Sequence, residues 1–163
     1  MGRALGFCLL ALAASTAACV ADDAPEQGDD GDPNISSTSS ELTGGPWPWR
    51  NAATNLCLDS NAGGSVYTNG CNGGPYQKWT NRPGSYAGDT LTNLATGLCL
   101  DSNASGSVYA LPCNGGVYQQ WVVSKVSTGW QLLNSATYRC LDSNASGSVY
   151  TQPCNGGNYQ HWL

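Results

Sequence analysis

One sequence pattern occurs three times in this chain of 163 residues, and it limits the folds open to the chain more than any other feature. Each copy begins with Cys-Leu-Asp-Ser-Asn, at Cys57, Cys99 and Cys140, and ends with Gln-x-Trp. The first cysteines lie 42 and then 41 residues apart. A period of this length is typical of small supersecondary units that stack or close into a ring. An aspartate at the same place in every copy indicates three equivalent binding sites, because a catalytic centre needs only one.

Short runs inside each copy alternate apolar and polar residues, and clusters of Gly, Asn and Ser separate them. Residues 56–58, 65–68 and 77–80 are examples from the first copy. Such runs are typical of short strands joined by tight turns, and the copies contain no helical period. The pattern therefore predicts an all-β fold with about four strands per repeat and about twelve in all.

The core that the repeats predict is modest, because it relies on Leu, Val and the tryptophan that ends each copy. A small core of this kind usually needs covalent support. In each copy the second cysteine follows the first by 14 residues, which favours the pairs Cys57–Cys71, Cys99–Cys113 and Cys140–Cys154. Each bond would close a loop of about 15 residues and add about 3 kcal/mol of stability. Zinc is the competing use of these cysteines, and their wide spacing disfavours it.

The first 46 residues differ in composition from the repeats. Residues 1–19 have a short positive start, an apolar stretch and then small residues, which is the order of a secretory signal and is too short for a membrane span. Cys19 follows two alanines, as in bacterial lipoprotein signals, so lipidation of Cys19 and plain cleavage near Ala18 both remain open. Residues 20–46 contain seven acidic residues, prolines and a serine run, which predict a disordered acidic linker.

Residues 47–163 are nearly neutral, with five basic and four acidic residues. This part has no basic stripe, which disfavours nucleic acid as a partner. Three of the four acids are the repeated Asp59, Asp101 and Asp142. Glycosidase chemistry needs two carboxylates flanking one bond, whereas a threefold repeat keeps these apart. The single histidine, His161, is expected on the surface, and the sequence predicts no enzyme, no cofactor and no metal.

The repeated pattern resembles the ricin B-chain type β-trefoil lectins. Leu-Asp-Ser-Asn, Val-Tyr, Asn-Gly-Gly and Gln-x-Trp recur in each copy, and the likeness extends from Trp49 to Trp162. It is closest to the actinohivin-type lectins, which have three such repeats and bind high-mannose glycans. The resemblance implies a single β-trefoil over residues 47–163, with repeats near 47–88, 89–129 and 130–163.

For binding, the resemblance implies three pockets for α1,2-linked mannose. Each pocket would contain an aspartate, two tyrosines and an asparagine, and the second would also contain a leucine. These residues are Asp59, Tyr67, Asn72 and Tyr76; Asp101, Tyr109, Leu111, Asn114 and Tyr118; and Asp142, Tyr150, Asn155 and Tyr159. A carboxylate accepts hydrogen bonds from sugar hydroxyls, an amide donates and accepts them, and a tyrosine ring covers the apolar side of a sugar.

Two alternatives remain open. The aspartates can instead cap turns by accepting backbone N–H bonds, and the tyrosines can pack on the surface of the fold. Ricin-type sites carry an aromatic residue two positions before the second cysteine, where this chain has Asn69, Leu111 and Gln152. The absence of an aromatic residue disfavours galactose binding in the ricin manner. The actinohivin-type lectins carry leucine at this position, and only the second repeat keeps it, so the second site is the strongest candidate.

The function expected from the sequence is that of a lectin, either secreted or lipid-anchored at a bacterial cell envelope. It would attach multivalently to high-mannose or other glycans, and it would contact a membrane only through a lipid at Cys19. The alternative is a sugar-inactive trefoil that serves as a protein-interaction or structural module.

Overall fold

The structure, a computed structural model, describes residues 42–86 and 88–163. The predicted signal segment 1–19, the lipidation site Cys19 and the predicted linker up to residue 41 lie outside the described residues. The described part forms eleven strands: β1 (Gly44–Trp47), β2 (Cys57–Ser60), β3 (Val66–Asn69), β4 (Trp79–Pro83), β5 (Asp89–Asn93), β6 (Cys99–Ser102), β7 (Val108–Leu111), β8 (Trp121–Val126), β9 (Gly129–Asn134), β10 (Cys140–Ser143) and β11 (Val149–Gln152).

Helical structure in the described residues consists of three one-turn 3-10 helices, at Pro75–Gln77, Val117–Gln119 and Asn158–Gln160. None of the described helices is long and apolar enough to cross a bilayer. The all-β prediction is confirmed.

Each repeat contains a hairpin with the same register. In β2–β3 Asp59 lies opposite Tyr67, in β6–β7 Asp101 lies opposite Tyr109, and in β10–β11 Asp142 lies opposite Tyr150. Directly opposed residues of an antiparallel pair point to the same face. The strand period therefore places each aspartate beside a tyrosine, while the neighbouring leucine points to the other face and into the core.

The three hairpins are hydrogen-bonded to one another in a ring. The carbonyl oxygens of Gly64, Gly106 and Gly147 accept the backbone N–H groups of Ala110, Thr151 and Thr68, each at 2.8 Å. The three glycines have φ of +82°, +93° and +88°, and an added Cβ would lie 2.3, 2.6 and 2.7 Å from the facing carbonyl oxygens. Only glycine combines this backbone conformation with so close an approach.

Longer hairpins, β4–β5 and β8–β9, connect successive repeats. Trp162 forms bridges with both Asn51 and Trp130, so the last residues of the domain pair with its first repeat and with β9. The structure differs from the sequence prediction at the start of the domain. β1 begins at Gly44, inside the predicted linker, and pairs with β4, while Leu42 packs against the core.

The core contains one leucine and one tryptophan from the same positions of each repeat. The leucines Leu58, Leu100 and Leu141 and the tryptophans Trp79, Trp121 and Trp162 are completely buried. Each indole N–H donates to the carbonyl oxygen of its own repeat's leucine, at 3.1, 3.0 and 3.2 Å. Burial of the ring therefore leaves its one polar group satisfied.

The three predicted disulfides, Cys57–Cys71, Cys99–Cys113 and Cys140–Cys154, are confirmed. No group of His, Cys, Asp and Glu side chains in the described residues is arranged to hold a metal ion. The prediction of a surface position for His161 is wrong, since the residue is 6% exposed and its Nδ1 is hydrogen-bonded to Thr128 Oγ1. Its neighbours Gln160 and Trp162 are completely buried, and the histidine between them is buried with them.

Candidate functional site

A cavity opens at the Asp–Tyr face of each of the three hairpins. The cavity volumes are about 470 Å³ in the first repeat, 290 Å³ in the second and 470 Å³ in the third. The predicted aspartate, tyrosines and asparagine line each one: Asp59, Tyr67, Asn72 and Tyr76; Asp101, Tyr109, Asn114 and Tyr118; and Asp142, Tyr150, Asn155 and Tyr159. The structure therefore brings together four residues that lie up to 17 positions apart in each repeat.

A buried glutamine holds the aspartate of every pocket. Gln77 Nε2 donates to Asp59 Oδ2 at 2.8 Å, Gln119 Nε2 to Asp101 at 2.9 Å, and Gln160 Nε2 to Asp142 at 2.8 Å. These glutamines end the 3-10 helices and are no more than 1% exposed. A hydrogen bond from a fixed amide donor orients the carboxylate in each pocket.

The same glutamine also holds the asparagine of the pocket. Gln77 Oε1 accepts the backbone N–H of Asn72 at 2.8 Å, and Gln119 and Gln160 do so for Asn114 and Asn155 at 2.9 and 2.8 Å. One side chain therefore sets the distance between carboxylate and asparagine. The sequence analysis missed this role, although the glutamine is the first residue of the repeated Gln-x-Trp.

Each pocket asparagine has a fixed amide orientation. Asn72 Oδ1 accepts the backbone N–H of Gly74 at 2.7 Å, and Asn114 and Asn155 make the same bond to Gly116 and Gly157. The oxygen therefore faces its own turn, and the amide end with two N–H donors is directed away from that turn. An amide in this orientation acts chiefly as a donor toward a ligand.

The two tyrosines of each pocket differ in burial. The hairpin tyrosines, Tyr67, Tyr109 and Tyr150, are partly buried, whereas Tyr76, Tyr118 and Tyr159 on the 3-10 helices are 40–43% exposed. Burial raises the pKa of each hairpin tyrosine, and the carboxylate of the same pocket raises it further. These hydroxyls therefore remain protonated at neutral pH and can donate hydrogen bonds, while the exposed rings offer a flat apolar face.

Turn capping, the alternative role for the aspartates, belongs to another residue. Asn61 Oδ1 accepts the backbone N–H groups of Gly63 and Ser65, at 2.9 and 3.0 Å, and Asn103 and Asn144 do the same in their repeats. The aspartates lie two positions earlier, inside a strand. Asp59 accepts one backbone N–H, that of Ser60 at 2.8 Å, and otherwise faces the pocket glutamine.

The position two before the second cysteine differs among the pockets. Asn69 and Gln152 line the first and third cavities, whereas Leu111 is 44% exposed and is not among the residues that line the second. Asn69 Oδ1 accepts the N–H of Gly70, while Gln152 Nε2 donates to Asp142 Oδ2 at 2.6 Å. The predicted Leu111 therefore lies outside the lining of the second cavity, and the structure adds Gln152, which the sequence analysis did not assign to a site.

Burial also raises the pKa of the Asp101 carboxyl, and the hydrogen bonds from Gln119 and from the Ser102 backbone offset only part of this effect. The aspartate of the second pocket therefore takes up a proton at a higher pH than an exposed aspartate does.

Residues 48–162 match the family model described as the ricin-type beta-trefoil lectin domain. ThreeFoil, a designed threefold symmetric protein, is 26% identical with a TM-score of 0.64 over 71% of this chain and 94% of its own. The hemolytic lectin CEL-III is 26% identical with a TM-score of 0.63 over 77% of this chain and 30% of its own. The β-trefoil prediction is confirmed.

A lectin from Polyporus squamosus, solved with the epitope Neu5Acα2-6Galβ1-4GlcNAc, is 20% identical with a TM-score of 0.64. That match covers 76% of this chain and 49% of the lectin, and at this identity it supports the fold alone. No curated protein sequence matches the chain.

Proposed function

This chain belongs to the ricin-type beta-trefoil lectin domain family, and we propose that it is a lectin whose three pockets bind mannose-type glycans, with α1,2-linked mannose of high-mannose glycans as the preferred ligand. One observation carries the proposal. In each repeat a buried carboxylate, an oriented amide and two tyrosines line one cavity, and a glutamine fixes the spacing.

The carboxylates have hydrogen-bonding capacity left for a ligand. An ionised carboxylate offers about four lone-pair sites. Asp59 uses two of them, for Ser60 and Gln77, so the remaining sites can accept two sugar hydroxyls. The amide of Asn72 supplies donors, and the exposed ring of Tyr76 can cover the apolar face of the sugar. The preference for mannose comes from the resemblance of the repeats to the actinohivin-type lectins.

Multivalency would compensate for weak single sites. One shallow pocket of this kind would bind a sugar with about −4 to −6 kcal/mol, which corresponds to millimolar to tens of micromolar affinity. Pockets on three repeats can engage several branches of one glycan or several glycans on one surface, with a gain in avidity of roughly 10²- to 10⁴-fold where the geometry permits. The proposed role is therefore attachment to glycan-rich surfaces.

Binding without catalysis is part of the proposal. Glycosidases place two carboxyl groups at one bond, about 5–10 Å apart. Among the described residues, each cavity is lined by one carboxylate, and the three carboxylates belong to different repeats. Incubation with candidate polysaccharides should therefore release no new reducing ends.

Export is also proposed. Three disulfides form and persist in oxidising compartments outside the cytosol, which agrees with a secretory signal at residues 1–19. Lipidation at Cys19 would anchor the domain at a bacterial cell envelope, and cleavage without lipidation would secrete it. Mass spectrometry of the mature N-terminus distinguishes the two outcomes.

A glycan array with the full chain tests the proposed function. The control is a triple variant, Asp59→Asn, Asp101→Asn and Asp142→Asn, which keeps the shape of each carboxyl but removes its charge. We expect selective binding to glycans that end in α1,2-linked mannose, and loss of that binding in the triple variant. Binding to another sugar would keep the lectin and discard the mannose preference. Absence of signal from the folded wild-type chain would contradict the proposal and favour a protein-interaction role.

A further inference from the structure

We infer that the three pockets differ in sugar affinity, because the side chain of Gln152 is hydrogen-bonded to the carboxylate of the third pocket. Gln152 takes the place that a sugar hydroxyl would otherwise have. The first two pockets present an aspartate that is ready to accept sugar hydroxyls. In the third, a sugar must first displace Gln152. This inference rests on the proposed carbohydrate binding and assigns a specificity-determining residue within it.

Hydrogen bonds saturate one oxygen of the Asp142 carboxylate. Its Oδ2 accepts from Gln160 Nε2 at 2.8 Å, as in the other repeats, and also from Gln152 Nε2 at 2.6 Å. A carboxylate oxygen has about two lone-pair sites, so both are in use. The other oxygen, Oδ1, is sealed from solvent, and Asp142 is 1% exposed whereas Asp59 and Asp101 are each 5% exposed.

The backbone is not the source of this difference. In each hairpin the first cysteine lies opposite the variable position, Asn69, Leu111 or Gln152, and the aspartate lies opposite the hairpin tyrosine. The variable residue is therefore on the aspartate's face of the hairpin and diagonal to it, within reach of a long side chain. The register is the same in all three repeats, so side chains rather than the backbone decide whether the carboxylate is capped.

The residues at the other two variable positions leave their carboxylates free of such a cap. Asn69 is shorter than Gln152 by one methylene, and its Oδ1 accepts the N–H of its own neighbour Gly70 at 2.8 Å. The side chain of Leu111 has no group that could donate a hydrogen bond to Asp101. The third cavity still measures about 470 Å³, so a sugar has room there, and the obstacle is the hydrogen bond from Gln152.

Competition between Gln152 and a sugar should make the third pocket about tenfold weaker than it would be without the cap, which is equivalent to about 1.4 kcal/mol. The domain would then bind small ligands at two pockets and engage the third only when a multivalent glycan supplies additional binding free energy. Gln152 alone would thus change the selectivity of the domain for extended or branched glycans.

The test is an NMR titration of the full chain with α1,2-mannobiose that reports on each pocket separately. The backbone amides of Asn72, Asn114 and Asn155 are suitable reporters, since each is bonded to the pocket glutamine. Three single variants are compared with the wild type. Gln152→Leu gives the third pocket the second pocket's residue, Gln152→Asn keeps the amide but shortens its reach, and Leu111→Gln transfers the cap to the second pocket.

We expect both Gln152 variants to strengthen binding at the Asn155 reporter about tenfold, and Leu111→Gln to weaken binding at the Asn114 reporter by a similar factor. Equal affinity at all three wild-type pockets, or no change at Asn155 in either Gln152 variant, would overturn the inference while leaving carbohydrate binding intact. If no reporter responds in the wild type or in any variant, the proposed function itself fails, and this inference fails with it.

Discussion

Two glutamines contact the same carboxylate oxygen of Asp142, and they represent two different regions of the molecule. Gln160 belongs to the interior, where its counterparts Gln77 and Gln119 make the same bond at nearly the same length, 2.8 to 2.9 Å. Gln152 belongs to the pocket rim, where the equivalent positions hold asparagine and leucine. The interior glutamine and its bond to the aspartate recur in every copy, whereas the position of Gln152 varies.

The two positions differ because the two glutamine side chains make different numbers of hydrogen bonds. Gln160 also accepts the backbone N–H of Asn155 and donates to the Pro153 carbonyl oxygen, so its replacement breaks three hydrogen bonds, including the buried one to Asp142. The Gln152 side chain makes one hydrogen bond, to Asp142, and lines the third cavity. A trefoil can therefore keep its fold while each rim residue adjusts its own pocket.

We expect the largest effect, a loss of stability, from a substitution in the buried core. Replacement of the fully buried Trp121 by alanine removes the indole from the core and leaves the Leu100 carbonyl oxygen without its donor. We expect the free energy of unfolding to fall by about 3–5 kcal/mol. Denaturant unfolding measures this loss. The rim control, Leu111→Ala, should stay within about 0.5 kcal/mol of the wild type, and a similar loss there would contradict the division between interior and rim.

A matched pair of substitutions sharpens the comparison at one carboxylate. Gln160→Leu removes a donor from the buried Asp142 carboxylate and the acceptor of the Asn155 backbone N–H, and should cost about 1–3 kcal/mol of unfolding free energy. Gln152→Leu removes a donor to the same Asp142 oxygen and should change stability by less than about 0.5 kcal/mol. Thermal and denaturant unfolding of the two variants compares them directly. Equal losses of unfolding free energy would show that both glutamines stabilise the fold to the same extent, and would contradict the division between interior and rim.

The exposed tyrosines test whether the rim binds sugar through ring contacts. Tyr118→Ala should weaken α1,2-mannobiose binding at the second pocket by about 0.5–1.5 kcal/mol, or up to about tenfold, because it removes the apolar ring face. Since Tyr118 is half-exposed, the fold should be unaffected. Tyr86→Ala is the control, because Tyr86 is exposed and lies outside the three pocket linings. Isothermal titration calorimetry checks both variants, and equal affinities would remove Tyr118 from the site.

We expect the smallest effect from protonation of Asp101 at low pH, which should weaken sugar binding at the second pocket. Burial raises the pKa of this carboxyl above its usual value of 3.8, and protonation removes an acceptor for sugar hydroxyls. Affinity at the second pocket should therefore decline as the pH falls through the raised pKa. Carboxyl ¹³C shifts of Asp101, followed together with mannobiose binding, provide the measurement. Constant affinity while Asp101 takes up its proton would contradict a direct contact between this carboxylate and the sugar.

Protonation of Asp101 should change the stability of the domain in the opposite direction to its effect on sugar affinity. A raised pKa in the folded state means that the folded protein binds the proton more tightly than the unfolded chain does. Between the unfolded and folded pKa values, acidification therefore stabilises the domain through this group while it weakens binding. The unfolding free energies of wild type and Asp101→Asn, compared across this pH window, isolate the contribution. A loss of this stability on acidification would contradict the pKa direction.

Much of the fold was predictable because the sequence repeats. Alternating runs gave the strands, the 14-residue cysteine spacing gave the three disulfides, and the recurring aspartates pointed to the three cavities. Contacts across the fold were not predictable in this way. Gln77 reaches Asp59 from 18 positions away, and the burial of His161 depends on how the last residues pair with the first repeat and β9. Periodicity specifies which face a side chain occupies, but not which distant group it meets there.

The rim shows the same limit. The variable position was visible in the sequence, but the preference for Leu111 as a pocket residue came from resemblance and carried no information on side-chain reach. In the structure the Gln152 side chain reaches Asp142 and lines its cavity, whereas Leu111 lies outside the lining of its own cavity.

The most direct measurement is a crystal structure of the full chain grown with saturating α1,2-mannobiose. The account predicts sugar hydroxyls within hydrogen-bond distance of Asp59 and Asp101, and at Asp142 either no sugar or a sugar that has displaced Gln152. Saccharide bound elsewhere on the domain, with the three aspartate pockets empty, would contradict the central claim that these carboxylates are the centres of carbohydrate binding.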